Sequence, residues 1–363
     1  MTANLDRHGR AGAGTSGGDT HARRPRARRR RLGLLALLLV AIAAVAAGCG
    51  EKSEDGQGSS EDFDLALDFF INPDHVGIFQ ALDAGYFADA GLNVTPRVPS
   101  DPSAPIKQVA AGQADLAISY EPEVMLAREQ GLDVVAVGAI VQQPLTSMIW
   151  LGDSRISSVA DLAGKTIATA GIPYQAAFLE KILRDAGLTT DDVTQVDVGL
   201  NLLPVILSGR ADALLGAFLN IEGVELERRN KDPRIMPVDE LGIPTYDELV
   251  LVASGERLRD DPEAIRLFIA ALERGTQDAA ADPGAATDIL LAASEDLDPG
   301  LTRAEVARTL PLLLPAAGQQ YGFMDPDQWN AFAGFMADEG LTERRLDSGE
   351  LLTNELLPGE IPG

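Results

Sequence analysis

The chain has 363 residues, with 30 Lys+Arg against 55 Asp+Glu and a formal net charge of −25. The first 48 residues hold nine arginines and two acids, so everything from Cys49 onward carries about −32, a surface that repels phosphate backbones and argues against nucleic-acid partners. One Cys and three His in the whole chain exclude a disulfide framework and a Cys/His metal cluster.

Residues 23–31 form a dense basic run, residues 32–47 are apolar, and Ala46-Ala47-Gly48-Cys49 closes the segment with small residues. That order predicts a secretory signal over 1–48, because the apolar stretch falls short of the ~20 residues a spanning helix needs. A lone Cys after Ala-Ala-Gly resembles the bacterial lipobox, which implies acylation of Cys49 and anchoring on the extracytoplasmic face of the cell membrane. Residues 49–62, rich in Gly, Ser and acids, read as a flexible tether.

The body is 45% hydrophobic and 23% charged, as a globular protein is, and about 315 residues exceed what one core usually organises. Residues 64–70 alternate as a strand, 76–84 read as a helix, and Ala90-Gly91-Leu92 precedes a strand at 93–98. A helix at 104–111 stops at Gly112, and 114–118 is the next strand. The pattern then returns. Residues 165–169 are a strand, Pro173 stands at a first helical position, and Ala186-Gly187-Leu188 closes the helix before a strand at 193–198. A helix at 202–208 stops at Gly209 before a strand at 211–215. The two Ala-Gly-Leu segments are offset by 96 positions and the two Gly-x-Ala-Asp segments by 97. A duplicated pair of lobes follows. Crossover helices imply α/β lobes of mostly parallel sheet with helices on both faces.

Beyond residue 249 the pattern changes to helices at 263–281, 284–293, 302–314 and 327–338, expected to pack on the first lobe. The chain then crosses between lobes near 148–151 and 246–250, a two-crossing hinge. Lobe 1 is assigned to 63–149 plus 248–363, and lobe 2 to 150–247.

Ligands in such sheets sit beyond the carboxyl ends of the strands. The loops at 69–75, 119–122, 171–174, 199–201 and 218–222 are therefore the candidates. Phe69 offers a face for a flat ring, strand alternation assigns one of Phe69 and Phe70 to the core, and Asn72 has both a donor and an acceptor. His75 serves either as a hydrogen-bonder at the helix entry or as a ligand contact. Tyr120 and Glu121 add a phenol and a carboxylate. Gly171 permits close approach beside a helix start, with Tyr174 directed into the cleft. Asn201, Asn220 and Glu222 complete the set, although Glu222 also reads as a solvated helix start. These loops hold no Lys or Arg, which disfavours an anionic ligand. Nucleophile elbows and phosphate-cradling Gly-rich loops are missing from the sequence, so no enzyme, cofactor or metal is expected.

At these loops the chain resembles the solute-binding lipoproteins of ABC importers, in the branch that binds thiamine pyrimidine precursors. The likeness spans roughly 63–254. It rests on Leu67-Asp68-Phe69-Phe70-Ile71-Asn72-Pro73-Asp74-His75, Gly85-Tyr86-Phe87, Ala110-Ala111-Gly112, Ser119-Tyr120-Glu121-Pro122, Gln143-Pro144-Leu145, Gly171-Ile172-Pro173-Tyr174, Asn220-Ile221-Glu222 and Pro244-Thr245-Tyr246. The resemblance implies a type II periplasmic-binding-protein fold, an aminopyrimidine ligand such as formylaminopyrimidine, an ABC permease as partner, and a monomer. Members of that branch usually carry Trp where this chain has Phe69, and Tyr-Trp where it has Phe218-Leu219. Riboflavin, bound by a related branch, is the alternative ligand. Relatives that synthesise the pyrimidine carry a cysteine cluster that this chain lacks. In the expected arrangement the ring stacks on Phe69 or Tyr174, Asn72 and Tyr120 bond its edges, and Glu222 accepts from the exocyclic amine.

Overall fold

The computed structural model describes residues 60–359. The signal segment, Cys49 and most of the tether lie outside the described residues. The tether ends two residues earlier than expected, because the first strand already begins at Glu61.

Among the described residues, ten strands form two five-stranded sheets. In chain order they are β1 (Glu61–Ala66), β2 (Leu92–Arg97), β3 (Leu116–Ser119), β4 (Val134–Val141), β5 (Thr146–Trp150), β6 (Thr166–Thr169), β7 (Thr194–Asp197), β8 (Ala213–Phe218), β9 (Arg234–Pro237) and β10 (Leu249–Ser254). One sheet has the order β2-β1-β3-β10-β4 and the other β7-β6-β8-β5-β9. The two orders are the same pattern repeated. In each, a strand that has come from the other lobe takes the fourth place: β10 in the first sheet, β5 in the second. Those entering strands pair antiparallel, β10 with β3 and β4, β5 with β8 and β9. The remaining pairs, β1 with β2 and β3, β6 with β7 and β8, are parallel. Each sheet is therefore mixed.

The repeated Gly-x-Ala-Asp has a repeated job. Asp115 Oδ2 accepts from Asp64 N at 2.7 Å, and Asp212 Oδ2 accepts from Thr166 N at 2.9 Å. Each carboxylate ties the start of one strand to its parallel neighbour, while Gly112 and Gly209 take positive φ to end the preceding helix.

The crossings lie at 142–145 and 246–248, so the first comes earlier than 148–151: Met148 and Trp150 are already inside β5, in the second sheet. Glu248 clamps both crossings. Its carboxylate, fully buried, accepts from Leu145 N and Thr146 N at 2.7 Å, Thr146 Oγ1 at 2.9 Å and the Tyr246 hydroxyl at 3.0 Å.

The helices after β10 do not all keep to one lobe. Pro262–Ala281 packs on Val76–Asp83, but Pro299–Leu313 also meets Glu222–Arg228 of the second lobe, where Arg308 pairs with Glu227 at 3.3 Å. Behind the hinge, Phe178 of the helix Pro173–Asp185 packs among Tyr246, Phe332 and Phe335 at centroid distances of 5.9–6.4 Å.

Candidate functional site

Four of the five loops converge on one cavity between the lobes. Phe69, Asn72 and Tyr120 line it from the first lobe, and Ile172, Tyr174, Phe218, Ile221 and Glu222 from the second. Its atom-free space, counting the open mouth, is about 420 Å³. The loop at 199–201 borders it only through the following Leu202.

The first-lobe wall is built by a short turn. β1 ends at Ala66, and Pro73 opens a 3₁₀ turn over Pro73–His75. Asn72 caps this turn: its Oδ1 accepts from Asp74 N at 2.8 Å and its Nδ2 donates to Phe70 O at 3.0 Å. Both ends of the amide thus help to shape the loop, and each keeps one bonding position, with Asn72 lining the cavity. The turn also brings His75 back over the strand end. Asn72 N donates to His75 Nδ1 at 3.3 Å, so the proton sits on Nε2, which donates to Asp68 Oδ1 at 2.9 Å. The Tyr120 hydroxyl donates to Asp68 Oδ2 at 3.1 Å.

His75 is fully buried with both nitrogens occupied, so it is a positioning residue behind Asp68 and touches no ligand space. Asp68, 1% exposed yet lining the cavity, is one residue that sequence reasoning passed over. Its signal was present: an acid seven positions before a lone His, at a strand end. Neither Phe69 nor Phe70 is core, against the alternation expected of a strand reaching residue 70, because the strand stops at Ala66. Phe69 is half-buried, and Phe70, 50% exposed, meets it edge-on at 5.5 Å.

On the second-lobe wall, Tyr174 is fully buried and its hydroxyl has no hydrogen-bond partner. It meets Tyr120 edge-on across the cleft at 6.0 Å. Gln175 Oε1 accepts from Ala170 N at 2.9 Å, leaving its amide nitrogen toward Gly216. Gly216, at φ +101, has no Cβ to fill that space; one would lie 2.3 Å from Gln175 Nε2. Both residues line the cavity and neither was anticipated. Glu222 Oε2 accepts from Phe218 N at 2.8 Å, and burial pushes its carboxyl up to about 7.

Four other expected contacts sit elsewhere. Glu121 is turned to the hinge, where it accepts from Asp247 N at 2.7 Å and from Gln328 Nε2 at 3.2 Å. Gly171 is required by its own φ of +77 and is packed near Asp197, not against the cavity. Asn201 is exposed, with Nδ2 donating to Val198 O at 3.3 Å. Asn220 is fully buried and joins the lobes: Nδ2 donates to Asp74 Oδ1 at 2.7 Å and to Thr309 Oγ1 at 2.8 Å.

A family model described as NMT1/THI5 like matches residues 72–286. The formylaminopyrimidine-binding protein of Halalkalibacterium halodurans is 32% identical over 272 residues, 74% of this chain and 82% of that one. The 4-amino-5-hydroxymethyl-2-methylpyrimidine phosphate synthase of Uromyces fabae is 29% identical over 236 residues, 62% of this chain and 69% of that one. Among solved structures, the alkanesulfonate-binding protein SsuA from Xanthomonas axonopodis pv. citri superposes with a TM-score of 0.65 at 17% identity, over 81% of this chain and 98% of that one. The fold is the two-lobed type II periplasmic-binding-protein fold that the paired sheet orders describe.

Proposed function

The chain belongs to the NMT1/THI5-like family, and from that premise we propose that it captures a thiamine-related aminopyrimidine as the binding protein of an ABC importer and releases it unchanged. One observation carries the reading: Asp68, its carboxylate fixed by His75 and Tyr120, lines an interlobe cavity together with Tyr174, Gln175 and Glu222 of the other lobe.

That set matches an aminopyrimidine edge, where an exocyclic N–H donor lies beside a ring-nitrogen acceptor. Asp68, already accepting from two donors, has lone pairs left for the amine. A carboxyl titrating near 7, as Glu222 does, either donates to the ring nitrogen when protonated or accepts from a protonated ring when ionised. Both states hold the same number of protons. Phe69 and Tyr174 supply the apolar and aromatic walls.

Binding the ring from both lobes favours the closed arrangement, which a permease distinguishes from the open one. Acylation of Cys49 would hold the protein beside that permease on the extracytoplasmic face of the membrane. Calorimetric titration with formylaminopyrimidine tests the site. A charge-assisted bond is worth about 1.5–3 kcal/mol, so Glu222→Gln is expected to weaken binding by roughly tenfold or more. Unchanged affinity removes Glu222 from the site.

A further inference from the structure

Beyond the ring cavity the cleft widens into a second one, about 1630 Å³ on the same measure, which shares Phe69, Asn72, Ile221 and Glu222 with the first. Part of its wall is apolar: Phe70 and Val98, 50% and 44% exposed, are large hydrophobic side chains left uncovered there. The facing part is acidic. Glu222 and Glu225 come from the helix Glu222–Arg228, and Glu305 from the helix Pro299–Leu313. Arg229 pairs with Glu225 at 2.5 Å, but among the described residues no ion pair engages Glu222 or Glu305.

One buried polar group in this wall lacks a partner, and a largely buried carboxyl beside it is unpaired. Thr302 is 1% exposed and its hydroxyl makes no hydrogen bond. Glu305, three residues on, keeps some solvent contact and receives no hydrogen bond among the described residues; burial, Glu225, Glu222 and Asp74 push its carboxyl up to about 8, with Arg228 opposing. Buried polar groups left unsatisfied are costly, and a native site that tolerates them is shaped for something that satisfies them.

We propose that this second cavity is a subsite for an organic cation on an apolar body, so that the ligand is an aminopyrimidine carrying a positively charged substituent. The proposal rests on the pyrimidine reading of the first cavity. A cation between Glu222 and Glu305 relieves their mutual repulsion, and its apolar body covers Phe70 and Val98. The edge-on pair of Phe69 and Phe70 adds ring faces for cation–π attraction. A metal ion is the poorer occupant, since among the described residues no three such side chains are arranged to hold one. A phosphate on the pyrimidine would meet the same carboxylates and be repelled.

The test compares three probes by calorimetry: 4-amino-5-hydroxymethyl-2-methylpyrimidine, its phosphate, and thiamine, in which a pyrimidine bears a cationic thiazolium. Wild-type protein is expected to bind thiamine at least about tenfold tighter than the bare pyrimidine, and the phosphate more weakly than either. Glu305→Gln and Thr302→Val are each expected to erase the thiamine advantage while leaving the bare pyrimidine within about twofold. Thiamine binding should also release a proton, read as a buffer-dependent enthalpy, which the bare pyrimidine should not do. Binding of the pyrimidine with no gain for thiamine, or equal losses for both probes in both variants, overturns the subsite alone. If wild-type protein binds none of the three, the pyrimidine reading fails and the subsite with it.

Discussion

Removing a carboxylate from water costs several kcal/mol unless its oxygens are paired, and Asp68 is buried to 1% exposure at the rim of a ligand cavity. His75 Nε2 and the Tyr120 hydroxyl supply the pairing, which fixes the carboxylate and leaves lone pairs for a ligand. Truncating His75 therefore exposes the cost: His75→Ala is expected to lower stability by about 2–4 kcal/mol in urea denaturation. Asp68→Asn is expected to cost far less stability while losing more than about tenfold in pyrimidine affinity. If His75→Ala leaves stability untouched, the ring is not what holds Asp68. In the sequence, the loop was visible as a place for chemistry, but the division of labour within it was not. Asp68 and His75 are seven positions apart and meet only because the 3₁₀ turn at Pro73–His75 folds the chain back. Asn72 shows the same limit, since residue type alone does not reveal that the turn takes one bond from each end of its amide.

Between elements, a tight packing constraint is the crossing of the helices Val76–Asp83 and Pro262–Ala281. A Cβ on Gly77 would lie 2.3 Å from Thr276 Oγ1, and one on Gly275 would lie 2.3 Å from Gly77 O and 2.6 Å from Ala81 Cβ. The two backbones touch because neither residue has a side chain. Gly275→Ala is expected to destabilise the protein by about 2–3 kcal/mol despite the better helix propensity of Ala, since backbone shifts accompany overpacking. A neutral or stabilising result in thermal unfolding would show that the helices do not approach so closely. The duplicated lobes were legible at this scale because the Ala-Gly-Leu and Gly-x-Ala-Asp segments mark the same strand and helix ends in each. The antiparallel entries of β5 and β10 were not, because direction within a sheet is decided by where the chain crosses, and buried strands carry no periodicity that reports it.

For the molecule as a whole, buried acids dominate the pH response. Burial pushes Glu123, Glu222, Asp247 and Glu248 up to about 7 and Glu305 up to about 8. As pH rises from the ordinary carboxylate range to these values, the unfolded chain has already lost its protons while the folded one holds them. Folding is therefore favoured at the acid end of that window, and stability declines as pH rises through it. Each group contributes at most about 3–5 kcal/mol. Thermal unfolding should show a higher Tm at pH 5.5 than at pH 8, and the reverse order would mean these carboxylates are solvated. Several of these groups stand where the lobes meet or the chain crosses. Glu248 bonds both crossings, and Asn220 reaches Asp74 and Thr309 across the cleft, so the described arrangement is a closed one.

On the function we propose, two similar lobes hold an aminopyrimidine between Asp68 and Glu222 without transforming it. Native mass spectrometry tests it directly, after incubation of the protein with one equivalent of formylaminopyrimidine and analysis of what is released. Expected is a single adduct of the intact ligand mass, strongly diminished in Asp68→Asn and recovered unaltered after prolonged incubation. No adduct with the wild-type chain, or a released molecule of different mass, would contradict it.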